Sequence, residues 1–68
     1  MNDIWRATAT RADGSGVWVT IPRYGPDIEF GPCDTLDPVV AEGDRVLVAD
    51  LGAQDMVVLG RVFGGVGT

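Results

Sequence analysis

The chain has 68 residues, enough for one small domain whose own hydrophobic core is marginal. Ten carboxylates outnumber five arginines, there is no lysine, and the net charge is −5. This balance disfavours nucleic acids and anionic membranes as partners, because binding them takes a basic surface. The single cysteine excludes an internal disulfide, and the absence of histidine excludes zinc held by mixed Cys and His ligands. So small a core favours tight packing or association with other chains.

The N-terminal residues 1–6 lack the apolar stretch of a signal peptide. No apolar run approaches the roughly 20 residues that a membrane span needs. We therefore expect a chain made in the cytoplasm, with no stable membrane insertion.

Alternating residues predict the first strand at 4–11, with Trp5, Ala7 and Ala9 on one face. The segment 12–16 contains Asp, Ser and two glycines, a composition typical of a turn. The two strands on either side of it are expected to form a hairpin.

Residues 17–21 predict the second strand, which ends at Pro22 because proline cannot donate to a strand ladder. Its valines and isoleucine share one face, and Trp18 lies on the other. After a loop, residues 28–30 predict a short third strand. Residues 31–34 are expected to turn again, and residues 35–40 to be irregular.

The last predicted hairpin consists of strands at 45–50 and 56–63, joined by a loop at 51–55. The final strand is apolar on both faces, a pattern typical of a strand covered on both sides. The pattern does not show which of its two faces points inward. The expected core consists of Val17, Val19, Ile21, Val46, Val48 and alternate residues from Met56 to Val62.

No window shows the 3.6-residue period of an amphipathic helix, so an all-β domain is predicted. Five short strands with a longer link after the third favour a small Greek-key barrel of the oligonucleotide/oligosaccharide-binding (OB) type. An SH3-like barrel is the alternative. The predicted domain covers residues 1–63, followed by a glycine-rich tail at 64–68.

No catalytic, cofactor or metal site is predicted, and the chain is not expected to be an enzyme. Asp34, Asp37, Asp50 and Asp55 are the nearest carboxylate pairs, but all fall in predicted turns, where aspartate caps its own backbone. Cys33 has no histidine to act as its base and is expected to be a small, semi-buried thiol.

Interface candidates come from apolar and aromatic residues outside the predicted core. If the valines point inward, Trp18, Leu47 and Ala49 point outward, either as a contact patch or with Trp18 simply packed against threonine stems. Residues of the loop after the second strand are of the types found at interface anchors or stacked on bases and sugars. The interface candidates are Trp18, Arg23, Tyr24, Leu47, Leu59 and Phe63.

Four segments together resemble the small OB-type domains of phage tails, in baseplate spike and hub proteins and in tail-tip proteins. They are the runs Val17–Gly25 (VWVTIPRYG), Glu29–Cys33 (EFGPC), Gly43–Ala49 (GDRVLVA) and Val57–Val62 (VVLGRV).

The resemblance implies a structural component of the virion tail, made in the host cytoplasm. Such domains often associate as trimers on the tail axis and join other tail or baseplate proteins. The chain has no β-helix repeat or lysozyme-like insertion, so a short tip, adaptor or plug is expected. The alternative is an OB-type module that binds single-stranded nucleic acid or glycan.

Overall fold

The computed structural model describes residues 3–53 and 55–63, which form five strands. Their bounds are β1 Asp3–Asp13, β2 Gly16–Thr20, β3 Glu29–Thr35, β4 Arg45–Asp50 and β5 Met56–Arg61. The strands close into a barrel in the order β1-β2-β3-β5-β4. This confirms the predicted all-β, five-stranded OB-like barrel. The predicted tail at 64–68 lies outside the described residues.

Strand β1 is shared by two neighbours and holds the barrel together. Its first half pairs with β4, from Asp3 with Asp50 to Thr8 with Arg45. Its second half pairs with β2, and the register shifts at Thr10, where β1 contains an extra residue. Such a bulge bends a strand, which lets β1 turn from one side of the barrel to the other.

Closure of the barrel depends on a short parallel contact between β3 and β5. Only Asp34 with Val57 and Thr35 with Val58 are paired there. The chain then crosses through residues 36–44 to begin β4, which pairs antiparallel with both β1 and β5. No membrane-spanning helix is found among the residues that the structure describes.

The predicted core is confirmed for the second and fourth strands: the inward valines of β2 and β4, and Ile21 directly after β2, are at most 2% exposed. The last strand contributes Val58, which is fully buried, while Met56 packs against the core from its edge. Val57 and Leu59 are only partly buried, which settles the face that the sequence left open. The remaining buried core members are Ala7, Ala9, Cys33 and Val40.

The predicted third strand was too short. Residues 31–34, expected to turn, lie inside β3, while Ile28 precedes the strand and is exposed. Gly31 and Pro32 fit because β3 carries an extra residue there: Val17 pairs with Cys33, but Val19 pairs with Phe30. Glycine and proline are tolerated at bulges, so their presence did not end the strand.

The first strand also runs further than predicted. Ala12 and Asp13 were assigned to the turn, but they pair with Val17 and Gly16. The turn itself is only two residues long, and Asp13 Oδ1 accepts the N–H of Ser15 at 2.7 Å. The fifth strand ends at Arg61, two residues before the predicted end.

Candidate interaction surfaces

Two of the carboxylates considered for acid–base chemistry, Asp37 and Asp50, accept backbone N–H groups. Asp37 Oδ1 accepts the N–H of Val39, and Asp50 Oδ1 accepts that of Gly52, both at 3.0 Å. These two are turn caps, as predicted. Asp34 was predicted to lie in a turn but is in β3, because the strand continues through residues 31–35.

Asp37 also forms an ion pair that the sequence did not predict. Its Oδ2 lies 2.7 Å from Arg61 Nε, so the link between β3 and β4 is tied to the end of β5. Hydrogen bonding to the Arg61 side chain, followed by that to the Val39 N–H, lowers the pKa of Asp37. The residues are 24 positions apart, and no local pattern connects them.

Cys33 is buried in the core rather than semi-buried. Burial, and secondly the charge of Asp34, raises the pKa of its thiol, which keeps the sulfur protonated and weakly nucleophilic. Within the described residues, no group of three Asp, Glu, His or Cys side chains is arranged to hold a metal ion.

The outer surface of β1, β4 and β5 carries an apolar row. Register places Ile4 beside Ala49 and Ala49 beside Val57, each alternating with inward residues of its strand. Leu47 lies in the next row, between Arg6 and Gly60. We call Ile4, Leu47, Ala49 and Val57 the outer apolar face. Ile4 is 63% exposed, while Ala49 between its neighbours is largely covered.

The structure does not bring Trp18 and Leu47 into one patch. Trp18 pairs with Arg11 of β1, whereas Leu47 pairs with Arg6. These arginines are separated by roughly 16 Å along the strand, at about 3.3 Å per residue. The Arg11 guanidinium also lies 3.7 Å from the centre of the Trp18 ring, so one face of the indole is occupied.

Arg23 and Tyr24 lie at one end of the barrel in an aromatic cluster. Tyr24 packs edge-on against Trp5 and Phe30, with ring centroids 5.7 and 5.5 Å apart. The Arg23 guanidinium is 5.1 Å from the centre of the Trp5 ring. These two loop residues therefore cover Trp5, while part of Tyr24 remains exposed.

The two last interface candidates belong to the end of the fifth strand. Leu59 is the extra residue of a bulge, because Leu47 pairs with Gly60 and Val48 with Val58. It is partly exposed. Phe63 follows the strand, is 73% exposed, and has the Arg61 guanidinium 5.3 Å from its ring centre.

A groove beside β3 has no counterpart among the sequence-based predictions. It has a volume of about 470 Å³ and is lined by residues 29–34 of β3 together with Asp55 and Met56. It exists because β5 begins only at Met56, which leaves the first part of β3 without a strand partner on that side among the residues that the structure describes. We call it the β3–β5 groove. Three of its lining residues are acidic and none is basic.

No family model, characterised protein or solved structure matches this chain. The two surfaces, the outer apolar face and the β3–β5 groove, are therefore the basis for a functional proposal.

Proposed function

We propose that the protein is a structural adaptor, which self-associates and docks to other proteins without catalysing a reaction. The observation that carries this proposal is the outer apolar face, where an apolar row crosses three paired strands on the outside of a closed barrel. In a small barrel the outside is normally polar, and contiguous exposed apolar surface is typical of interfaces.

The finer proposal is a minor tail, tail-tip or baseplate hub component of a virion, assembled as a homotrimer. It draws on the resemblance of the four sequence segments to small phage-tail barrels. The described fold agrees with this proposal in size, because it is one small closed barrel.

The alternative of a nucleic-acid or glycan module is less well supported. OB barrels commonly bind such ligands on strands 2 and 3 and the adjoining loops. Here the groove beside β3 is lined by Glu29, Asp34 and Asp55, which repel phosphates. Trp18 has one ring face under Arg11, which leaves it a poor stacking platform for a base or sugar.

The test is the native mass of the purified chain across a concentration series, for the wild type and two matched variants. Ile4→Asp places a charge in the outer apolar face, while Ile28→Asp makes the same change at an exposed isoleucine before β3. We expect the wild type to associate, and Ile4→Asp to weaken association by about tenfold or more, as burial of one isoleucine is worth about 1.5–3 kcal/mol.

Circular dichroism should show that both variants remain folded, and Ile28→Asp should associate like the wild type. A wild type that stays monomeric at every concentration contradicts self-association. If both variants weaken self-association equally, the interface does not lie at the outer apolar face. Salt-sensitive retention of single-stranded DNA in a gel shift would favour the alternative.

A further inference from the structure

We propose that the β3–β5 groove binds an extended segment of a partner protein that carries arginine or lysine side chains. This deepens the proposed adaptor function, on which it rests for the class of partner, by naming the chemistry that the partner presents. The groove shares no residue with the outer apolar face, so the two surfaces can be tested separately.

The shape of the groove follows from an unpaired strand edge. Residues 29–33 of β3 pair with β2 on one side, but pairing with β5 starts only at Asp34. The open edge is therefore five residues long, about 17 Å at roughly 3.3 Å per residue. An extended peptide of similar length fits beside such an edge, a common mode of peptide recognition.

The acidic residues that line the groove favour a basic peptide as its ligand. Glu29, Asp34 and Asp55 line the groove, and no arginine lines it. Phe30 and Met56, which pack against the core, also line the groove and add apolar surface to it. Arginine and lysine match this combination, because their aliphatic stems pack on apolar surface while their charged ends pair with carboxylates.

Pro32 limits the backbone hydrogen bonds that a bound peptide can form with β3, so side-chain contacts become more important for binding. It lies within the open edge and has no N–H, so an added strand cannot form a continuous ladder there. An edge protected by proline and acidic residues resists pairing with arbitrary strands. Binding should consequently depend mainly on basic side chains and weaken as salt rises.

The test uses a short capped peptide that alternates arginine with valine, and a matched peptide with glutamate in place of arginine. Fluorescence anisotropy should show saturable, salt-sensitive binding of the first peptide only. The double variant Asp34→Asn/Asp55→Asn should weaken it by roughly tenfold, the effect of losing two partly screened ion pairs.

The control variant Asp3→Asn/Glu42→Gln removes the same charge from exposed carboxylates outside the groove. It should bind the peptide within about twofold of the wild type, as expected for distant surface charges. In NMR spectra, amide shifts should concentrate at Phe30, Cys33 and Met56.

Three outcomes would overturn the proposal: no binding, equal weakening by the control variant, or preference for the glutamate peptide or single-stranded DNA. The Ile4→Asp variant separates this proposal from self-association. Retained peptide binding by that variant supports an independent groove, whereas its loss would mean that the groove is not a separate site.

Discussion

The barrel joins two unlike regions. Between β1 and β4, six consecutive residue pairs run from Asp3 with Asp50 to Thr8 with Arg45. Between β3 and β5, only two pairs close the ring. The continuous ladder makes a frame with an apolar outer face, and the short one leaves an acidic groove. Complete pairing between strands thus stabilises this small chain, whereas interrupted pairing creates a concave surface.

The largest expected effect on the free energy of unfolding comes from a charge placed in the core beneath the β1–β4 ladder. Val48 is fully buried in β4, so Val48→Asp places an unpaired charge in the core. We expect a loss of more than about 4 kcal/mol in the free energy of unfolding, which exceeds what so small a domain can spare. Urea denaturation followed by circular dichroism measures it.

Leu47→Asp, one residue earlier on the outward side of β4, is the matched control. Leu47 is partly exposed, so this variant should remain folded. A folded, soluble Val48→Asp variant would contradict the register of β4.

A smaller effect is expected where β2 and β3 approach each other. A Cβ added at Gly31 would lie 2.6 Å from Trp18 Cδ1 and 2.9 Å from the Trp18 Cα, which is closer than side-chain atoms pack. Gly31→Ala should therefore cost about 1–3 kcal/mol, as overpacking in a well-packed site does.

Gly14→Ala is the control, because a Cβ at Gly14 meets no atom within 4 Å. Its stability should stay within about 0.5 kcal/mol of the wild type, the usual range for surface changes. Urea midpoints of both variants give the comparison. An unchanged midpoint for Gly31→Ala would mean that β3 does not contact Trp18 as described.

Sequence patterns predicted the inward faces of the second and fourth strands well, because the signals for them are local. Val17, Val19 and Ile21 alternate with Trp18 and Thr20, so period two identifies the inward face of that strand. In β4 the outward residues Leu47 and Ala49 are apolar as well, and the inward face is the one that carries Val46 and Val48. The final strand was ambiguous because both faces are apolar. The bulge at Leu59, a feature of pairing with β4, helps to determine the register there.

The short β3–β5 contact and the groove beside it were not predictable in this way. Gly31 and Pro32 have the composition of a turn, and only the bulge opposite Trp18 explains why the strand continues. The groove arises from the late start of β5 beside an earlier strand, which is a relation between distant segments. The pairing of Asp37 with Arg61 is likewise non-local, and both residue types are common on exposed surfaces.

The smallest predicted effect is a pH dependence at the Asp37–Arg61 ion pair, which links the segment after β3 to the end of β5. Arg61 lowers the pKa of Asp37 below its ordinary value of 3.8, so the folded state favours the charged carboxylate. A group with a lowered folded pKa contributes stability above its ordinary pKa, and this contribution is lost as the pH falls through the folded value. Asp37→Asn removes it while keeping an oxygen that can accept the Val39 N–H.

We expect a lower urea midpoint for Asp37→Asn at neutral pH and a difference from the wild type that narrows below about pH 4. Asp27→Asn, in an exposed loop, should follow the wild type throughout. A difference that stays constant or widens in acid would mean that the ion pair does not stabilise the link between β3 and β4.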